Sequence, residues 1–171
     1  MRFVEELAAA DIGTTFNFYR DGPRANLLRR RLETYLEAHT QAALLLVGEA
    51  PGYRGARISG LPFTSERQLT GAGPAERTAT IVRAVLRELE LEDDVLCWNV
   101  VPTHPGTETA NRRPTRAEIE AGRRFLERLA HSRRVVAVGR LAQAATGAPY
   151  VRHPSHGGAS AFRDGLRTCV S

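Results

Sequence analysis

The sequence predicts a three-layer α/β/α protein, with helices on both faces of a central four-stranded parallel sheet. The main observation is that short, continuous apolar runs alternate with longer segments whose apolar residues have helical spacing. Strands that alternate with helices form parallel sheets, because each helical crossover returns the chain to the same end of the sheet. The second observation is length: 171 residues suit one hydrophobic core, so we expect a single domain over residues 1–171.

The first half of the chain contains two predicted helices and two predicted strands. Leucines at helical spacing predict a helix from about Arg24 to Ala38, and Ala42–Val47 (AALLLV) is typical of a buried strand. A Gly-rich loop follows, then a predicted helix from about Pro74 to Leu89. The apolar run Asp94–Val101 (DVLCWNVV) predicts the second strand, and Cys97 within it reads as a core residue.

The second half repeats the alternation. Thr115 and Glu118 form a capping-box pattern, which predicts a helix that continues to about His131. The remaining elements are a strand at Arg134–Val138, a short helix from about Arg140, a short strand at Tyr150–Arg152 and a helix at Ser160–Arg167.

The ends of the predicted strands locate a functional site. In open parallel sheets, ligands bind in the crevice beyond the carboxyl ends of the strands. Here those ends lead into Gly48–Gly52, Asn99–Pro102, Gly139–Arg140 and His153–Gly158, which are rich in glycine and polar residues. We therefore expect the site where these four loops meet.

Four side chains in or near these loops could carry chemistry. Glu49 supplies a carboxylate, Asn99 an amide with donors and an acceptor, and His153 an imidazole. Phe63, in the segment GLPF, could present a flat face for stacking. Each has an ordinary alternative: Glu49 could be a solvated loop residue, Phe63 could be core, Asn99 could cap a strand end, and His153 could be structural.

The order of these segments resembles the uracil-DNA glycosylase superfamily, and is closest to its bacterial family 4-like branch. The resemblance rests on GEAPG, GLPF, Asn99, the segment Asn111–Thr115 with Glu118, and HPS, which occur in this order between Leu44 and about Phe162. Each motif alone is weak evidence for the resemblance. Five motifs in the same order and on the expected elements are strong evidence.

The resemblance implies a role for each matching residue. Glu49 would position or activate water, Phe63 would stack on the extruded base, Asn99 would read uracil, and His153 would stabilise charge on the leaving base. The further implied base-binding residues are Gly48, Ala50, Pro51, Gly52 and Tyr53, and the implied DNA-binding residues are Arg112, Arg113, Gly139, Arg140, Ser155, His156 and Gly157.

The sequence also departs from the family. Cluster-bearing relatives have cysteines where Thr103 and Gly122 stand, and no cysteine precedes Cys97, so we expect no iron–sulfur cluster, no metal and no cofactor. Many members place at Gly52 a Tyr that blocks the methyl group of thymine; Tyr53 could partly replace it. Gly157 and Gly158 stand where a bulky DNA wedge is common, which favours single-stranded or destabilised DNA.

The predicted function is hydrolytic excision of uracil from DNA, which leaves an abasic site. All 24 basic residues are Arg, and the pI near 10 suits a nucleic-acid binder. The absence of Lys excludes a lysine Schiff base. Alternatives are excision of hypoxanthine or xanthine, and non-catalytic binding of damaged DNA; a nucleotide-binding module is disfavoured because no G-x-G-x-x-G segment is present. No apolar run approaches the ~20 residues that span a membrane, and we expect a cytoplasmic, nucleoid-associated monomer.

Overall fold

A computed structural model describes residues 2–170 and contains one parallel sheet. Its strands are β1 (Leu44–Gly48), β2 (Val95–Asn99), β3 (Arg134–Val138) and β4 (Tyr150–Val151), and their spatial order is β2-β1-β3-β4. Every neighbouring pair is parallel. The predicted α/β fold with a four-stranded parallel sheet is therefore confirmed.

Helices separate the strands, as the periodicity predicts. Their bounds are α1 (Arg2–Ala9), α2 (Ala25–Ala38), α3 (Ala56–Ser59), α4 (Glu66–Thr70), α5 (Arg77–Glu88), α6 (Arg116–Ala130), α7 (Arg140–Thr146) and α8 (Ala159–Val170). The capping box before α6 is present, because the Thr115 hydroxyl accepts from the backbone N–H of Glu118 while the Glu118 carboxylate accepts from that of Thr115.

Several predicted boundaries differ from the observed ones. The second strand ends at Asn99 rather than Val101, although the backbone N–H groups of Val100 and Val101 still donate to the carbonyls of Gly48 and Glu49. The helix predicted from Pro74 begins at Arg77. The final helix is longer than predicted, and α1, α3 and α4 were not predicted at all.

Both faces of the central strands are covered. Every residue of β1 and of β2 is buried, although alternate side chains of a strand point to opposite faces. This pattern supports the predicted three layers. β2 lies at one edge of the sheet, where its Cys97 N–H donates to the Tyr35 hydroxyl of α2 at 2.7 Å, so this edge amide is satisfied by a side chain.

The register brings the carboxyl ends of the strands together. Gly48 lies opposite Asn99, and Val138 lies opposite Val151. The loops that follow these residues consequently open at one edge of the sheet. Among residues 2–170, no helix combines the length and the apolar character needed to cross a membrane.

Candidate active site

The loops at this edge enclose a cavity of about 540 Å³. Glu49, Phe63, Asn99 and His153 all line it. They come from four separate places in the sequence, and the parallel sheet brings them together. The volume falls within the range of small-molecule pockets, about 300–1,000 Å³.

Most of the other residues singled out in the sequence also line this cavity, and four do not. The lining ones are Ala50, Pro51, Gly52, Arg112, Arg113, Gly139, Arg140 and Ser155. Gly48, Tyr53, His156 and Gly157 are outside the lining. Whether Tyr53 replaces the Tyr that other members place at Gly52 stays a prediction.

Gly48 lies just behind two of the site residues. A Cβ at this position would lie 2.5 Å from Phe63 Cζ and 2.8 Å from Asn99 Oδ1, both far inside van der Waals contact. Its missing side chain thus lets the ring and the amide approach the end of β1. The glycine therefore allows this packing, and its predicted contact with a bound base stays a prediction.

Phe63 is held in an unusual backbone conformation. Its φ of 49° is in the left-handed region, which non-glycine residues seldom adopt. The Arg83 guanidinium of α5 contacts the same segment: Nε donates to Phe63 O at 3.3 Å, and Nη2 donates to Thr64 Oγ1 at 2.6 Å and to Pro62 O at 3.4 Å. Arg83 therefore fastens the loop that presents the ring.

The Asn99 amide lacks a partner within the protein. The residue is 5% exposed, yet no group within residues 2–170 hydrogen-bonds to its side chain. Buried amides are normally hydrogen-bonded. An unused donor and acceptor at the wall of a cavity point to a ligand with a complementary polar edge.

Glu49 is a half-buried carboxyl group beside the same cavity. Burial raises its pKa above the usual range, and the positive charge of Arg113 partly opposes that rise. Perturbed acids in clefts are frequent at functional sites. The loop around Glu49 is fixed, because the buried His104 bonds through Nδ1 to Pro51 O at 2.7 Å and the Tyr53 N–H donates to Asn111 Oδ1 at 2.9 Å.

His153 is held in one neutral form by its neighbours. Burial, and secondarily the nearby His156, lower the pKa of its imidazole. The backbone N–H of Ser155 donates to Nδ1 at 3.2 Å, and the Ser155 hydroxyl lies 2.8 Å from the same atom. Because Nδ1 accepts that N–H, the proton of the neutral ring is on Nε2. The ring can then offer Nε2–H as a donor without a net charge.

Sequence reasoning missed Glu76, a second carboxyl group on the cavity wall. Glu76 immediately precedes α5, and burial raises its pKa. No motif marks it, because it stands at the start of a helix, where acids are common. A search for carboxylates beyond the strand ends would not have found it, since it does not follow a strand.

The positions where cluster-bearing relatives have cysteines are packed tightly here. The Thr103 hydroxyl is buried and hydrogen-bonds to Thr15 Oγ1 at 2.5 Å. A Cβ on Gly122 would lie 2.5 Å from Val100 O, so α6 packs directly against the backbone after β2. In the part of the chain that the structure describes, no group of three or more His, Cys, Asp or Glu could hold a metal ion.

The fold and the site are those of a parallel α/β protein with a partly polar cavity at the carboxyl edge of its sheet. The family model of the uracil DNA glycosylase superfamily matches residues 36–165, so the chain belongs to that superfamily of DNA glycosylases. Among solved structures, wild-type SMUG2 of Pedobacter heparinus is similar, with a TM-score of 0.68 and 13% sequence identity over 98% of this chain and 96% of that one. At this identity the likeness shows the fold alone. Comparison with proteins of curated function finds none with significant sequence similarity.

Proposed function

We propose that this protein is a monofunctional glycosylase that extrudes uracil from DNA and hydrolyses its glycosidic bond. The observation that carries this proposal is the buried, unpartnered Asn99 amide in the cavity that Phe63 also lines. An amide offers both a donor and an acceptor, which is what the imide edge of uracil requires. Superfamily membership supports the same reaction class.

The base would enter the cavity by leaving the DNA helix. A base inside a duplex is unreachable, and unstacking it costs a few kcal/mol. Stacking on an aromatic ring is worth about 1–3 kcal/mol per base and would offset part of that cost. The Phe63 ring, held at the cavity by its strained backbone and by Arg83, is suited to this contact.

Glu49 and His153 fit the two charges that develop during cleavage. As the bond between C1′ and the base breaks, its electron pair stays with the base, and the sugar becomes cationic. The Glu49 carboxylate would stabilise the sugar and accept a proton from the attacking water, whose oxygen bonds to C1′. The Nε2–H of neutral His153 would donate to the anionic base; one such donor is typically worth about 3–4 kcal/mol.

The rim of the cavity supplies contacts for DNA phosphates. Arg113 and Arg140 are exposed at the rim, and their guanidinium groups match phosphate geometry. Arg112 is already engaged with Glu118, so its role is to position the loop. The Ser155 hydroxyl, the backbone at Gly139 and the exposed His156–Gly157 turn are further candidates for phosphate contact.

The test is release of free base from labelled oligonucleotides by the purified protein. We expect excision of uracil from single-stranded DNA and slower excision from duplexes, because Gly157 and Gly158 provide no bulky wedge. The same assay is run on oligonucleotides that contain hypoxanthine or xanthine. Preferred release of one of these bases would favour the alternative glycosylase activities over uracil excision. Tight binding to uracil-containing DNA without release would instead identify a non-catalytic binder, and neither binding nor release would refute the proposal.

A further inference from the structure

Glu76 places a carboxyl group on the cavity wall without a partner in the protein. It is the N-cap residue of α5, yet its side chain caps none of the helix amides. The side chain instead lines the cavity that contains Glu49, Asn99 and His153. Throughout residues 2–170, no group hydrogen-bonds to this carboxyl or forms an ion pair with it.

Two glycines make room for this group. A Cβ on Gly52 would collide with Oε1 of Glu76, and a Cβ on Gly55 would collide with Oε2. Gly52 is not in the left-handed region, so its backbone would accept another residue, and the space taken by Glu76 is the reason for a glycine there. The carboxyl group therefore forms the wall that side chains at these positions would otherwise provide.

The Glu76 carboxyl group is partly buried and has no partner among the described residues. Burial raises the pKa of Glu76, and no cation nearby opposes the shift. Buried polar groups that find no partner in the protein commonly find one in a ligand or a water. Because Glu76 and Asn99 line the same cavity, the bound base is the natural partner of this carboxyl group.

We propose that Glu76 contacts the extruded base and determines which bases the cavity accepts. This inference rests on the proposed function. The carboxyl group limits the room for ring substituents above Gly52 and Gly55, and its oxygens can hydrogen-bond to the polar edge of a deaminated base. Selection by shape and selection by hydrogen bonding are separated by two substitutions.

The first experiment measures single-turnover excision by Glu76→Ala and Glu76→Gln proteins on oligonucleotides that contain uracil, thymine, hypoxanthine or xanthine. Glu76→Ala opens the wall, so the rate on each bulkier base relative to uracil should rise about tenfold or more. Glu76→Gln keeps the volume and should keep the exclusion of thymine. Glu127→Ala, which removes an exposed acid on α6, is the control and should leave all ratios unchanged. Unchanged ratios in Glu76→Ala would overturn the proposal.

The second experiment adds a methyl group at Gly52, in the space that the Glu76 carboxyl group occupies. Gly52→Ala should slow uracil excision strongly in the wild-type background, because the new methyl group displaces the Glu76 carboxyl. In the Glu76→Ala background the methyl group has room, so the same change should have little effect. Equal effects of Gly52→Ala in the two backgrounds would show that Glu76 does not form the cavity wall next to Gly52.

Thermal unfolding provides a readout that does not depend on activity. A carboxyl group kept for the ligand should not stabilise the empty protein, so Glu76→Gln should leave Tm unchanged or raise it. A clear fall in Tm would assign Glu76 a structural role and refute the proposal. If the wild-type protein releases no base, the proposed function fails. In that case the affinities of the wild-type and Glu76→Ala proteins for oligonucleotides with each base are compared, and the ratios of these affinities still test the role of Glu76.

Discussion

Single side chains at the cavity keep hydrogen-bonding capacity unused. Asn99 is buried without a partner, Glu49 and Glu76 are carboxyl groups whose pKa burial raises, and His153 is biased to a neutral ring with Nε2–H available. These groups therefore have donors and acceptors with which to bind a polar ligand in the cavity. Their concentration in one cavity is the strongest sign of function in the molecule.

The pH dependence of excision should report the ionisation of Glu49. The carboxylate form is needed to stabilise a cationic sugar, and burial raises the Glu49 pKa above its usual 4.5. We therefore expect the single-turnover rate to rise with pH through a midpoint above that value and to level off when Glu49 is ionised. His153 should not limit the rate on this limb, because the neutral and protonated rings both carry Nε2–H.

Glu49→Gln should abolish this rise and lower the plateau. The measurement is the rate of base release across the acid range for both proteins, with circular dichroism at each pH to confirm folding. A Glu49→Gln profile that keeps the wild-type acid limb would remove Glu49 from the mechanism.

The adjacent ends of β1 and β2 form the platform of the site. Gly48 and Asn99 lie opposite each other in the ladder, and the ring of Phe63 packs over the glycine. The strand ends are rigid because every residue of both strands is buried. Small changes in this platform should therefore affect geometry at the base more than they affect the fold.

Gly48→Ala tests the platform. The added methyl group must push Phe63 or Asn99 away, and a misplacement of about 1 Å can cost on the order of 100-fold in rate. We expect a loss of that size in uracil excision. The control is Gly165→Ala in α8, where the three atoms nearest to the added methyl group all belong to Val151, the closest at 3.3 Å, and Val151 does not line the cavity. Similar excision rates in the two variants would contradict this role of Gly48.

The contact between α5 and the Phe63 loop makes a separate prediction. Arg83→Met removes the donors to Pro62, Phe63 and Thr64 while it keeps most of the side-chain volume. We expect weaker stacking of the base, seen as a higher KM with a smaller change in kcat. In a Phe63→Ala background the same substitution should add little, because its effect passes through the ring. Full additivity of the two substitutions would show that Arg83 acts elsewhere.

The sequence predicted the long elements and the motif residues, and it failed on short or unmarked features. Leu44–Gly48 and Val95–Asn99 are continuous apolar runs, so their strands were clear. By contrast, α3 and α4 have four and five residues, too few for a periodic pattern. Glu76 could not be predicted, because its contact with Gly52 depends on how α5 packs against the loop after β1.

At the scale of the whole molecule, an ion pair between the exposed Arg112 and the buried Glu118 connects the cavity rim to α6, and Thr14 ties the amino-terminal loop to the same carboxylate. Arg112 donates to both oxygens of Glu118, at 2.6 and 2.8 Å, while the backbone N–H groups of Thr14 and Thr115 also donate to this carboxylate. Glu118 is buried, and these donors lower its pKa to about 2. The amino-terminal loop, the cavity rim and α6 are thereby held together.

Stability should therefore depend on the ionisation of Glu118. Because its pKa is lower in the folded protein than the ordinary 4.5, its contribution is complete above about that pH and is lost as the pH falls toward 2. Glu118→Gln should lower the free energy of unfolding at neutral pH by more than about 2 kcal/mol. Urea unfolding at several pH values measures this; a variant as stable as the wild-type protein at neutral pH would contradict it. Glu120→Gln, an exposed acid on the same helix, is the control.

We propose that the cavity at the carboxyl edge of the sheet reads and releases a base through Asn99. The most direct test is single-turnover release of uracil from single-stranded DNA by the wild-type, Asn99→Ala and Asn26→Ala proteins, where Asn26 is an exposed asparagine of α2. We predict excision by the wild-type and Asn26→Ala proteins at similar rates, and a loss of about 100-fold or more in Asn99→Ala. Equal rates in all three proteins would contradict the account.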